Sequence, residues 1–173
     1  MHLFKNPLKL TLQSVSVACL LGIGSAHAQS SGNVTLNVTL TDVLALSIND
    51  ATVALNFANA TDYQTGLTVQ KTGQLTVTSN RAYDLKVKAN SDLTFGSNTI
   101  PVSNVNVRST TASDMGTTQT VSLSTADQTV AGNASAAIAK AVSLEYSTGA
   151  NNQSFAKAAG TYSAVLVYSL VAL

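Results

Sequence analysis

The sequence has almost none of the side chains on which common enzyme chemistry depends. Its 173 residues include one cysteine, two histidines and no tryptophan. The cysteine and the histidines, Cys19, His2 and His27, all precede Gln29. From Gln29 onward the chain therefore has no Ser/His or Cys/His nucleophile system and no zinc ligands of the usual kind. We expect a protein that is not an enzyme and that holds no metal ion or cofactor.

Charged side chains are also scarce, at 10% of the sequence. Seven Lys and Arg residues and eight Asp and Glu residues follow residue 28, which gives a net charge of −1. Such a surface has no basic field to hold a nucleic-acid backbone, so we expect no nucleic-acid partner. Carboxylate pairs such as Asp84 and Asp92 have no spacing that predicts a shared site, and we interpret them as solvated acids.

Residues 1–28 have the pattern of a secretory signal peptide. Two lysines begin it, an apolar stretch occupies residues 10–23, and residues 26–28 (Ala-His-Ala) provide the small residues of a cleavage site. Polar residues interrupt the apolar stretch, so it is too short and too broken for a stable membrane span. We expect a secreted mature chain, residues 29–173, that forms a single domain, has no membrane span and crosses the periplasm to the cell surface.

Apolar residues alternate with polar ones along much of the mature chain, and this period of two predicts β-strands. Residues 33–40, NVTLNVTL, show it best, with one apolar face made of Val34, Leu36, Val38 and Leu40. Residues 53–57 give a shorter alternation. Residues 83–89 alternate apolar with mostly charged side chains, which is typical of a sheet with one solvated face.

Two further stretches admit more than one interpretation. Residues 66–70 and 74–79 flank a Lys-Thr-Gly sequence at residues 71–73, and we expect a hairpin there. Residues 136–146 are rich in alanine, which favours a helix by propensity, but their period of two favours a strand. With about ten strands and turns between them, the chain is predicted to be all-β, an immunoglobulin-like antiparallel β-sandwich.

The final stretch, residues 160–173, is apolar on both faces of a predicted strand. Leu166, Tyr168 and Leu170 lie on one face, and valines dominate the other. A strand of this kind belongs inside a sandwich or against another molecule. We interpret the tyrosines at strand positions as core residues. Tyr63, in a predicted polar loop, is the tyrosine that stays open to a role in recognition.

Residues 33–40 and 160–173 together fit donor-strand exchange, in which each subunit lends its N-terminal strand to the incomplete sheet of a neighbour. The alternative interpretation is that both are ordinary strands of one complete sandwich. On the exchange hypothesis the subunit-interaction residues are four donor and three acceptor residues: Val34, Leu36, Val38 and Leu40, and Leu166, Tyr168 and Leu170.

Four short motifs follow one another along the chain: the alternating strand at residues 34–40, NRAYDLKVK at residues 80–88, IPVS at residues 100–103 and AGTYS at residues 159–163. Their order resembles that of the alpha-class chaperone–usher pilins, the major subunits of enteric colonisation fimbriae. The resemblance implies a fimbrium built by donor-strand exchange and a periplasmic chaperone as a partner. A weaker resemblance is to WxL-type surface domains, although Tyr168 stands where they have tryptophan.

We therefore expect a secreted, non-enzymatic structural subunit of a bacterial surface fibre or surface layer, which associates with itself or with related subunits. The alternative is a monomeric extracellular binding module, or adhesin, that recognises glycan or cell-wall polymer through loops such as residues 109–118. The two functions make different demands on the fold. An assembling subunit needs an open apolar edge in the monomer, whereas a binding module needs a complete sandwich.

Overall fold

The computed structural model describes residues 31–173, and the predicted signal peptide lies outside these residues. The chain divides into two units, residues 1–38 and residues 39–173. Every strand and helix given below belongs to the second unit.

Residues 39–173 fold as an antiparallel β-sandwich, which confirms the all-β prediction. In the described part of the chain the strands are β1 (Leu44–Ile48), β2 (Thr68–Ser79), β3 (Tyr83–Ala89), β4 (Leu93–Phe95), β5 (Asn98–Ile100), β6 (Val105–Ser109), β7 (Thr117–Thr118), β8 (Val121–Ser122), β9 (Gln128–Ala134), β10 (Ala137–Thr148) and β11 (Leu166–Ala172). The helical elements there are α1 (Ala60–Thr65) and two 3-10 turns, Val102–Asn104 and Gln153–Phe155.

The strands pair in two main sheets, and every pair is antiparallel. Within residues 39–173 one sheet has the strand order β1-β2-β10-β6-β8, and the other has the order β11-β3-β9-β7. β4 and β5 form a separate two-stranded hairpin. The first and last strands, β1 and β11, thus belong to different sheets.

Side chains from both sheets meet in one apolar core. In β3 the side chains of Tyr83, Leu85 and Val87 are fully buried, and the charged residues between them are half-buried. This is the two-faced pattern that the sequence predicts. A fully buried aliphatic side chain contributes roughly 1.5–3 kcal/mol through the hydrophobic effect. The other large, fully buried apolar residues are Leu75, Val77, Val107, Leu123, Val130, Val142, Leu144 and Tyr146.

The predicted hairpin at residues 66–79 is wrong, because most of that stretch is the single strand β2. Gly73 lies within the strand with a φ of 58°, a left-handed conformation that glycine adopts at no steric cost. Opposite it the register shifts between Val142 and Leu144 of β10. The N–H of Gly73 donates to Ser143 Oγ at 3.0 Å. The glycine therefore marks a β-bulge and not a turn.

The alanine-rich stretch is strand β10, as its period of two predicts. Its first residues are irregular: the register with β2 shifts between Ala137 and Lys140, and Ala139 has a φ of 51°. The N–H of Ala139 donates to Thr78 Oγ1 at 3.0 Å, which replaces a ladder hydrogen bond. This bulge turns Ile138 outward, where it is 88% exposed.

Residues 33–43 belong to no strand among the residues that the structure describes, although residues 33–40 show the best one-sided alternation in the sequence. A strand requires a partner for its backbone N–H and C=O groups, and alternation alone does not supply one. The side chains of Val34, Leu36, Val38 and Leu40 are 94%, 85%, 73% and 82% exposed. This segment therefore presents four apolar side chains to solvent.

The predicted loop that contains Tyr63 holds the short helix α1. Its capping box consists of Asn59 and Asp62: Asn59 Oδ1 accepts from Asp62 N, and Asp62 Oδ2 accepts from Asn59 N, each at 3.1 Å. These reciprocal bonds satisfy donors that the helix itself leaves unpaired. Within residues 31–173, no helix is long and apolar enough to cross a membrane.

Replacing Leu144 by Ala should lower the free energy of unfolding by about 2–5 kcal/mol, because Leu144 is fully buried between the sheets. The matched control is Ile138→Ala in the same strand, which should change it by less than about 0.5 kcal/mol. Urea denaturation followed by circular dichroism measures both. Equal losses for the two variants would contradict the orientation of β10.

The stability of the sandwich should also depend on pH through Glu145. Arg108 Nε and Nη2 donate to its carboxylate at 2.6 and 3.0 Å, and Gln70 Nε2 donates at 3.1 Å. Hydrogen bonds from Arg108 and then Gln70 hold the pKa of Glu145 below its ordinary value of 4.5. A depressed folded-state pKa gives stability above the unfolded pKa that is lost as pH falls through the folded value.

Glu145→Gln should therefore make the free energy of unfolding less dependent on pH on the acid side of the ordinary glutamate pKa of 4.5. Urea denaturation curves at several pH values on that side, for the original chain and the variant, give the comparison. An acid-side slope that is the same in both proteins would show that Glu145 contributes no pH-dependent stability.

Candidate functional site: a groove at the edge of the sandwich

β11 lies at the edge of its sheet, and one side of its backbone is free. In the described part of the chain it pairs with β3 alone. Val165 O accepts from Asn90 N at 2.9 Å, so the odd-numbered residues direct their backbone groups toward β3. Because an antiparallel strand alternates the direction of these groups, the opposite, free side presents the N–H and C=O groups of Leu166, Tyr168 and Leu170.

Residues 53–57 form a second segment with unpaired backbone. Val53, Leu55 and Phe57 are half-buried, and the residues between them are exposed, which is the alternation of a strand. Among residues 31–173, however, no hydrogen bond engages the backbone of residues 53–57. Backbone groups in folded proteins are nearly always paired when water is excluded from them. This segment and β11 thus lack the partner strand that each would need.

A groove lies between these two segments, and we call it the edge groove. Residues 53–57 bound it on one side, and residues 157–162, residues 164–166 and Tyr168 bound it on the other. It has two parts, with volumes of about 370 Å³ and about 430 Å³. Both parts are lined by Val53, Leu55, Leu93 and Val105. Because they share these residues, the two parts adjoin each other.

One end of the edge groove is aromatic. The Phe57 ring stacks on Phe155 and packs at a tilt on Tyr63, each with ring centroids 4.8 Å apart. Tyr162 packs against Phe95 at 5.6 Å. A Cβ at Gly160 would collide with the Phe95 ring, so this close approach requires glycine. Tyr63 is therefore part of an aromatic cluster and not a free loop residue.

A basic side chain connects the two main sheets. Arg81 Nη1 donates to Asp42 Oδ2 at 3.0 Å, and Arg81 Nη2 donates to the backbone oxygen of Leu173 at 2.7 Å. Asp42 precedes β1 and Leu173 follows β11, so this one guanidinium joins an end of each main sheet. These three residues line neither part of the groove, so the bridge lies outside it.

The groove lining also contains buried hydroxyl groups. Tyr146 OH donates to Gln74 Oε1 at 2.8 Å, and the hydroxyls of Tyr146 and Tyr168 are 2.7 Å apart. Burial raises the pKa of Tyr146 and, more strongly, that of Tyr168. Both hydroxyls therefore stay protonated across the physiological pH range, and they act as hydrogen-bonding groups without charge.

The structure places the seven predicted subunit-interaction residues in two groups. Leu166, Tyr168 and Leu170 share the inner face of β11 and pack against the core while half-buried. The other four lie in the exposed segment at residues 33–40. The sequence alone does not reveal the groove wall at residues 53–57 as a site. Its alternation was visible, but its lack of a partner strand was not.

Comparisons with known proteins identify no relative, so any proposal about function depends on the groove. No protein-family model matches the chain, and no curated protein matches it. The described residues contain no group of three or more His, Cys, Asp or Glu side chains that is placed to hold a metal ion. Fold and site together define an antiparallel β-sandwich with an open, largely apolar groove between two unpaired backbone edges.

Amide hydrogen exchange of the monomer should reveal the free edge of β11. The amides of Leu166, Tyr168 and Leu170 should exchange faster than those of Val167, Ser169 and Val171, because only the latter bond to β3. Residues 53–57 should exchange as fast as the free set, since their amides lack partners. Nuclear magnetic resonance of the exchanging protein resolves each amide. Uniform protection along β11 would mean that its second side is already paired.

Proposed function

We propose that this protein is a secreted, non-enzymatic structural subunit of a bacterial surface fibre or surface layer, assembled by donor-strand exchange. Residues 33–40 of one copy enter the edge groove of the next copy as an added strand. The observation that carries this proposal is the pair of unpaired backbone edges, at β11 and at residues 53–57, which line one groove. An added strand would satisfy both edges.

The donor segment matches β11 in length and has the alternation of a strand that is buried on one face. Eight residues at about 3.3 Å each extend about 26 Å, and the seven residues of β11 extend about 23 Å. The four apolar donor residues recur with a period of two, so an extended donor would direct all four toward the core. Each would gain roughly 1.5–3 kcal/mol from burial, in addition to the backbone hydrogen bonds.

A periplasmic chaperone and further subunits are the partners that this proposal implies. An unpaired strand edge beside an apolar groove is prone to non-specific association. A subunit that crosses the periplasm before assembly therefore needs a protein that covers the groove in transit. At the cell surface the donor segment of a neighbouring subunit takes that place.

The aromatic end of the groove supports a second candidate function, a monomeric module that binds glycan or cell-wall polymer. Phe57, Tyr63 and Tyr162 line the larger part of the groove, and aromatic faces are common recognition surfaces for ligands. The loop at residues 109–118, expected to serve such a function, is held in place where Gly116 approaches the backbone of Gly132. A glycan would occupy the groove without extending β11.

Replacing Val34, Leu36 and Val38 by Asp should abolish assembly and leave secretion intact, because three charges cannot enter an apolar groove unpaired. The matched control replaces the alternate residues Thr35, Asn37 and Thr39 by Asp, which face away from the core in the inserted strand and should be tolerated. Size-exclusion chromatography of the surface extract measures assembly. Normal multimers in the first variant would remove residues 33–40 from the donor role.

Protein purified from its native cells should run as a ladder on an unheated denaturing gel and collapse to one band after boiling. An inserted strand leaves slowly, since its hydrogen bonds and its four apolar side chains must be lost together. A single monomer band in both lanes would contradict donor-strand exchange. The monomeric binding module would then be the better function, and glycan binding would be measured next.

A further inference from the structure

A chain of three hydrogen bonds, each made by a side chain, runs along the lining of the edge groove. Tyr146 has one hydroxyl proton and donates it to Gln74 Oε1. Tyr168 must therefore be the donor in its 2.7 Å contact with Tyr146. Gln74 Nε2 in turn donates to the backbone oxygen of Asp50 at 3.0 Å. The direction of every bond in the chain is thus fixed.

This chain of bonds connects the two sides of the groove. Tyr168 belongs to β11, and Asp50 belongs to the segment that leads into residues 53–57. Tyr146 on β10 and Gln74 on β2 lie between them, and both are buried, with 1% and 4% of their surfaces exposed. All four residues line the same part of the groove. The bonds therefore run from one side of the groove to the other.

Asp50, where this series of hydrogen bonds ends, is held in place by further hydrogen bonds. Lys71 Nζ donates to Asp50 Oδ2 at 2.7 Å, and the backbone N–H of Thr52 donates to Asp50 Oδ1 at 3.0 Å. The backbone N–H of Asn49 donates to Gln74 O at 2.8 Å. Residues 49–52 are thus held on β2, and the bonds through Gln74 and Tyr146 extend that hold to β11.

The empty groove needs such a connection. Without the Tyr168 hydroxyl, the inner face of β11 would have only apolar contacts with the core, and these contacts have no preferred direction. An edge strand under these conditions can shift into the empty groove to bury its own apolar surface. Hydrogen bonds, in contrast, fix both distance and angle. A chain of them across the groove would resist that collapse.

We propose that Tyr168, Tyr146 and Gln74 act as a positioning chain, which keeps the two walls of the edge groove apart before a strand enters. The proposal rests on the proposed function and adds a new role to it. Tyr168 lines the edge groove, and it is also a positioning residue for strand entry. A groove that stays open binds a strand without first having to reopen, so the connection should act on the rate of association.

The test measures how fast a synthetic peptide of residues 31–42 binds the full-length chain. Val34, Leu36 and Val38 are first replaced by Asp in the protein, so that it cannot donate to itself. In this background Tyr168→Phe should slow peptide association about tenfold, because the open groove is then populated about tenfold less. The rate of dissociation should change little. Stopped-flow fluorescence of a labelled peptide gives both rates.

The matched control is Tyr83→Phe in β3, which removes a buried hydroxyl that lies outside the groove lining and donates to Met115 Sδ at 3.9 Å. It should leave the association rate unchanged. Tyr146→Phe should slow association as Tyr168→Phe does, and the double variant should be no slower than either one, since both belong to one chain of bonds. If the two hydroxyls served stability alone, these variants would have lower melting temperatures but would associate with the peptide at the original rate.

Two outcomes would overturn the proposal in distinguishable ways. If the background chain binds the peptide and Tyr168→Phe associates equally fast, the positioning chain has no role in strand entry and donor-strand exchange stands. If the background chain does not bind the peptide at all, the groove does not accept this strand. Both the proposed function and the positioning chain would then be abandoned.

Discussion

The backbone groups of Leu166, Tyr168 and Leu170 that point away from β3 impose the main constraint on this protein. A β-strand is stable when both sides of its backbone are hydrogen-bonded or solvated. On β11 the free side borders an apolar groove, where water is a poor substitute for a partner strand. Residues 53–57, across the groove, have the same need. The groove and the residues that line it are best understood from these two unpaired edges.

The rest of the molecule holds the groove in shape without filling it. Paired strands and the buried side chains of Leu85, Leu144 and Tyr146 provide a rigid base. Arg81 joins the ends of the two sheets, and the aromatic cluster around Phe57 packs one end of the groove. The hydrogen bonds that lead from Tyr168 to Asp50 cross the groove. A groove supported on three sides can remain available to an incoming strand, which an unsupported edge could not do.

The sequence predicts elements best where a local pattern decides the structure. Tyr83, Leu85 and Val87 alternate with charged residues, and the geometry of a strand then sends them to the core. The alanine-rich stretch was resolved as β10 by the same reasoning. The hairpin failed because Gly73 permits both a turn and a bulge, and the choice depends on how β10 lies against β2. That contact is distant in sequence.

By itself the sequence determined the all-β class, the faces of most strands and the apolar character of residues 33–40 and 166–172, since these follow from the period of two. Only the tertiary structure decided which alternating segments have partners. Residues 53–57 and β3 have similar patterns, yet β3 lies between two strands and residues 53–57 pair with none within residues 31–173. Strand pairing joins residues far apart in the chain, so no local pattern can reveal a partner that is missing.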